Sequence, residues 1–87
     1  MNDYEKNQLR ARSYISEVVE MDPKFLGGIP RLRGTRYAVS QLFDELRDGN
    51  SIEEICENYE LEIDDVKKLL SGISILYDIR DYDPIKE

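Results

Sequence analysis

Gly27–Val39 reads GGIPRLRGTRYAV, and it concentrates backbone-shaping and basic residues as no other part of the chain does. It holds three of the five glycines, one of the three prolines, and Arg31, Arg33 and Arg36 in an otherwise acidic protein. Gly27-Gly28 before Pro30 prescribes a turn, and Ile29 to Leu32 then reads as a short strand. Arg33-Gly34-Thr35-Arg36 reads as a second turn, with Gly34 the residue for positive φ, and Tyr37 to Val39 returns as extended chain. Strands this short are not stable alone, so the stretch predicts a small β element supported by something larger.

Upstream, Tyr14 to Met21 alternates Ile15, Glu17, Val19 and Met21 against Tyr14, Ser16, Val18 and Glu20. Its β-branched content favours a strand, which Asp22-Pro23 would end, with Phe25 and Leu26 tucked under the Gly-Gly turn. Residues 1–13, capped by Asn2 or Asp3, read as a short helix or an arm that orders against a partner.

Downstream the period changes to that of helices. Ser40 is the expected N-cap of a helix over 40–48 with Leu42, Phe43 and Leu46 apolar, and Gly49 sits where a left-handed C-cap belongs. Ser51 and Glu54 match a capping box for a helix over 51–59 that buries Ile52, Ile55, Cys56 and Tyr59. A third helix over 64–76 presents Val66, Leu69, Leu70, Ile73 and Leu76 at helical spacing, with Gly72 inside it. The fold class is mainly α with a small β element: a trihelical, helix-turn-helix-like core preceded by a short β-hairpin-like segment. The organisation is one domain over 14–76, with β element 14–39, and a tail over 77–87, YDIRDYDPIKE.

Composition excludes several chemistries. There is no His and a single Cys, so the commonest general base and the usual zinc site are absent, and no cofactor is expected. The lone Cys also precludes an internal disulfide, which fits a reducing cytoplasm; no stretch resembles a signal peptide or a membrane span. The net charge of −7 conceals a division. Residues 1–36 carry seven Lys/Arg against five Asp/Glu, and residues 37–87 five against fourteen. A nucleic-acid footprint would belong to the first half.

The run D-P-x-x-L-G-G-x-P-x-x-R-G-T-R-x-x-V from Asp22 to Val39 resembles the signature of a small bacterial family. So do G-x-S-x-E-E-I from Gly49 to Ile55, then Tyr59, Leu61, Asp65-Val66 and Leu70. The family is domain-of-unknown-function family 433, whose members are regarded as VapB-like antitoxins encoded beside PIN-like nuclease toxins. The resemblance spans about residues 15–73 and implies a helix-turn-helix-like core and a homodimer. Its signature positions here are Asp22, Pro23, Gly27, Gly28, Pro30, Gly34, Thr35, Arg36 and Val39. The chain departs from the pattern at Tyr37, at Glu60 (usually Pro), at Glu62 (usually a polar cap), and at Leu69 and Gly72.

Two groups of residues carry the functional expectation. Alternation puts Arg31 and Arg33 on one face as candidates for nucleic-acid contact, while Gly27, Gly28, Pro30, Gly34, Thr35 and Arg36 read as architecture. The third helix, with Asp64, Asp65, Lys67 and Lys68, lacks the Arg, Asn or Gln of a DNA reader. In the tail, Tyr77, Ile79, Tyr82 and Ile85 read as partner-binding residues, though Tyr77 and Ile79 could simply extend the helix. Cys56 reads as a buried structural thiol, and the exposed Glu53, Glu54 and Glu57 as a solvated face. By resemblance the expectation is a non-enzymatic antitoxin that neutralises a PIN-like ribonuclease by protein contact, with operator DNA a further partner. The alternatives are a DNA-binding regulator without a toxin, and a structural dimerisation module.

Overall fold

The computed structural model describes residues 2–77, and of Leu26 the backbone alone. Four helices and a two-stranded antiparallel sheet follow in the order α1 (Asp3–Val18), β1 (Val19–Glu20), β2 (Arg31–Leu32), α2 (Val39–Arg47), α3 (Ile52–Tyr59) and α4 (Ile63–Leu76). The protein is mainly α with a small β element.

α1 corrects the sequence reading. Residues 14–18, expected to be extended, are the last turns of a helix that runs through residue 13 without a break. Asn2 and Glu5 form a capping box at its start. Its register places Ala11, Tyr14, Ile15 and Val18 along one side, at the spacing that packs a helix against a neighbour, and that neighbour is α4. Packing over four turns outweighs the modest strand preference of Ile15, Val18 and Val19. Only Val19–Glu20 remains as strand.

β1 pairs with β2 in the register Val19↔Leu32 and Glu20↔Arg31. Ala38 bridges the far side of Arg31, and the Val39 N–H donates to the Pro30 carbonyl at 3.0 Å. The turn between them uses Gly34 at φ +78°, as its position in Arg-Gly-Thr-Arg requires. The cap of α2 lies two residues earlier than expected: Ala38 is its N-cap, with no side-chain bond, and Ser40 lies inside the helix. Ser51 and Glu54 do form the capping box of α3. α3 ends on Glu60 in the left-handed conformation at φ +55°, a geometry closed to the proline that the resemblance leads one to expect there.

The core gathers Val18, Leu32, Tyr37, Leu42, Ile55, Cys56, Leu61, Val66 and Leu69 from every helix and from β2. Each large aliphatic side chain so buried contributes about 1.5–3 kcal/mol, and Leu42, Ile55, Leu69 and Val66 are buried completely. Where α1 crosses α4, Gly72 allows the close approach. A Cβ there would lie 2.8 Å from Ile15 Cγ1 and 3.2 Å from the Ala11 carbonyl oxygen. Gln8 Nε2 closes the crossing by donating to the Leu76 carbonyl at 2.8 Å. Among the described residues no helix is long and apolar enough to cross a membrane.

Candidate functional site

Two arginines of the basic block pair with one acid. Glu20 stands opposite Arg31 in the sheet and turns its carboxylate toward the Gly34 turn. One oxygen pairs with Arg31 Nη2 at 3.1 Å and accepts from the Gly34 N–H at 2.9 Å; the other pairs with Arg33 Nη1 at 3.3 Å. Arg31 is buried, its guanidinium 4.3 Å from the Phe25 ring centroid, with Nη1 donating to the Thr35 carbonyl at 2.7 Å. Phe25 is therefore a half-exposed lid on a buried cation.

Arg33 is exposed but occupied. Its Nη2 donates to the carbonyls of Ser16 and Val19 at 2.8 and 3.1 Å, and its Nε to that of Glu17 at 3.2 Å. Those carbonyls close α1, which has no basic residue in its own last turn. Arg33 supplies the missing positive charge from across the sheet. Thr35 completes the turn, its hydroxyl donating to the Leu32 carbonyl at 2.8 Å and accepting from the Tyr37 N–H at 3.0 Å.

These contacts place the arginines singled out from the sequence. Arg31 and Arg33, the expected nucleic-acid contacts, are the two arginines committed to the fold. Arg36, expected to be architectural, is exposed, its guanidinium 5.9 Å from the Phe25 centroid. Alternation does put Arg31 and Arg33 on one face, but that face belongs to Glu20. Gly27 and Gly28 both have positive φ, and Gly28 lies against Pro23.

Next to Arg36, Tyr37 enters the core and donates its hydroxyl to the Glu45 carboxylate. Burial, then that bond, pushes the Tyr37 hydroxyl well above its ordinary pKa of 10.0. Its ring packs 4.7 Å from that of Tyr59. Tyr59 was expected in the core; it stands 43% exposed at the end of α3. With Thr35, Arg36 and Gln41 the two tyrosines wall a shallow open depression.

Beyond Tyr59 the surface is acidic. Between Ser51 and Val66 the chain has seven Asp/Glu and no Lys or Arg. Glu53, Glu54, Glu57, Glu60, Glu62 and Asp64 are all exposed across α3, the turn and the first residues of α4. Of the two lysines that follow, Lys67 is exposed and Lys68 pairs with Glu17 on α1. The start of α4, where a helix-turn-helix protein would read DNA, therefore presents Glu62, Asp64 and Asp65. Tyr77 is exposed at the end of the described residues, and Ile79, Tyr82 and Ile85 lie outside them.

The sequence profile described as Protein of unknown function (DUF433) matches residues 19–71. The chain belongs to this family. No curated protein and no solved structure matches it significantly. The DUF433 match opens on the first residue of β1, so the Glu20 network, the turn and the acidic face all lie inside it, while α1 lies outside. Within the DUF433 region Cys56 is buried, and burial, then Glu53 and Glu62, raise its thiol pKa, which leaves it a poor nucleophile. No group of three or more His, Cys, Asp or Glu side chains among the described residues is placed to hold a metal ion.

Glu20 and Tyr59 are what sequence reading missed. Glu20 is decisive only once Glu20↔Arg31 is the register, which local pattern does not specify. Tyr59 sits on the apolar stripe of α3 by spacing, but at the helix's last residue, where the stripe leaves the core.

Proposed function

We propose that the protein is a non-catalytic binding partner, the antitoxin of a two-protein pair, and that its acidic α3–α4 face covers the basic, RNA-handling surface of a ribonuclease toxin. The observation that carries the reading is the sixteen-residue stretch Ser51 to Val66, with seven acids, no base and six of those acids exposed. A surface of one sign steers a partner of the other and repels like-charged competitors. Tyr59 at its edge supplies the kind of half-exposed aromatic that anchors protein contacts.

The same charges weigh against a DNA-binding regulator. Phosphate would meet Glu60, Glu62 and Asp64 at the helix-turn-helix turn, and Arg31 and Arg33 are engaged by Glu20 and by α1. Co-expression with the product of the adjacent gene tests the proposal. Co-purification and relief of that product's toxicity are expected; retention on DNA at low salt without a protein partner would favour the regulator instead.

A further inference from the structure

We infer, building on the acidic-face reading, that the partner meets this surface with arginine in particular, one guanidinium stacking on the open side of the Tyr59 ring. Tyr59 packs on Tyr37, the ring centroids 4.7 Å apart and the planes tilted by 53°, and yet stands 43% exposed. Tyr37 is a fixed backing for it, 5% exposed and bonded through its hydroxyl to Glu45. The pair therefore offers solvent one aromatic ring, at the end of α3 where the acidic run turns toward α4. Glu60, next in the chain, and Glu62 are exposed beyond it.

Lysine and arginine satisfy such carboxylates alike; the ring separates them. A guanidinium is planar and weakly hydrated, so it lies on an aromatic face while its in-plane N–H groups still reach carboxylates. An ammonium is compact and strongly hydrated, and gives up more water to do the same. The chain holds one such trio of its own: Arg31 lies 4.3 Å from the Phe25 ring centroid and pairs with Glu20 at 3.1 Å. Tyr59 has the ring and the acids without the cation. Arg36, which shares the shallow depression with the two tyrosines, has its guanidinium 5.9 Å from the Phe25 centroid. Among the described residues no cation of this chain stands over Tyr59.

Calorimetry of the full chain with hexa-arginine, hexa-lysine and hexaglutamate, at about 0.15 M salt, tests the assignment. Hexa-arginine is expected to bind with Kd on the order of 100 μM, about three- to fivefold more tightly than hexa-lysine. Tyr59→Leu, with helicity by circular dichroism unchanged, should bring the two peptides within about 1.5-fold of each other, and Tyr59→Phe should keep the preference. In the parent chain the Tyr59 ring proton resonances should shift with hexa-arginine and stay in place with hexa-lysine, a readout that needs no substitution. Equal affinity for the two cationic peptides, or a preference that survives Tyr59→Leu, would overturn the inference and leave the acidic-face reading standing. Binding of neither would overturn both. Binding of hexaglutamate that Arg36→Ala abolishes would give the depression to an acidic ligand and overturn the inference as well.

Discussion

Replacing Glu20 by Ala should be among the most damaging single changes on the surface of this domain. The change leaves Arg31, whose side chain is only 9% exposed, without its counter-charge. Removing one partner of a buried ion pair costs about 3–5 kcal/mol. Glu20 is itself 25% exposed, and Arg31 keeps its bond to Thr35 and its contact with Phe25. The expected loss therefore falls below that range, at about 2–3 kcal/mol. For a chain of this length the whole stability is about 4–13 kcal/mol, so the variant forfeits a large share. Urea unfolding followed by circular dichroism reads it as a midpoint lower by about 2 M at unchanged slope. Arg33→Ala, which loses exposed bonds only, should cost about 1 kcal/mol. Adding Arg31→Met to Glu20→Ala should recover most of the loss, because an apolar side chain of similar length needs no counter-charge. If Glu20→Ala moves the midpoint no further than Arg33→Ala, the buried pair is not what holds the turn to α1.

Three further outcomes follow from other parts of the fold. Gly72→Ala gains about 1 kcal/mol of helix propensity but forces Ile15 and the Ala11 carbonyl aside at about 1–3 kcal/mol, so a net loss of about 1 kcal/mol is expected in the same assay. A stabilised variant would mean that the α1–α4 crossing has room to spare. Glu60→Gly should stabilise by about 0.5–1 kcal/mol, because only glycine adopts positive φ without strain; a melting temperature that falls would contradict it. The pH dependence has a definite sign. Cys56 and Tyr37 have folded pKa values raised above their ordinary 9.0 and 10.0, so the folded state holds protons that the unfolded chain has released. The contribution of these two groups to stability is full below about pH 9 and declines as pH rises above it. Tyr37→Phe should flatten the part of that decline above about pH 10, and an unchanged alkaline profile would show that Tyr37 does not drive it.

The readings that held were those carried by local chemistry. Ser51 with Glu54, Gly49 after α2 and Gly34 between two arginines each specify a backbone shape within a few residues, and each is found in place. The readings that failed depended on what lay across the fold. Ile15, Val18 and Val19 are neutral between helix and strand until α4 offers a surface at helical spacing; Gly72, by contrast, reads from sequence as a bend or a close approach, and a close approach is what it provides. The arginines show the same limit. Their alternation was visible, but nothing nearby in sequence says that Glu20 will stand opposite Arg31, or that the carbonyls closing α1 will lie beside Arg33. The acidic run from Ser51 to Val66 was visible as a solvated face. It stands out as the candidate site because Arg31 is buried and Arg33 is bonded to the carbonyls that close α1.

The most direct test of the account is a comparison of two variants in binding the adjacent gene product. Reversing Glu53, Glu57 and Glu60 to Lys changes exposed side chains and should leave the fold intact by circular dichroism. Calorimetry should show that this variant loses at least tenfold in affinity and no longer relieves toxicity, while Arg36→Ala binds as the parent does. A triple-Lys variant that binds with parental affinity, or a parent chain that forms no complex, would contradict it.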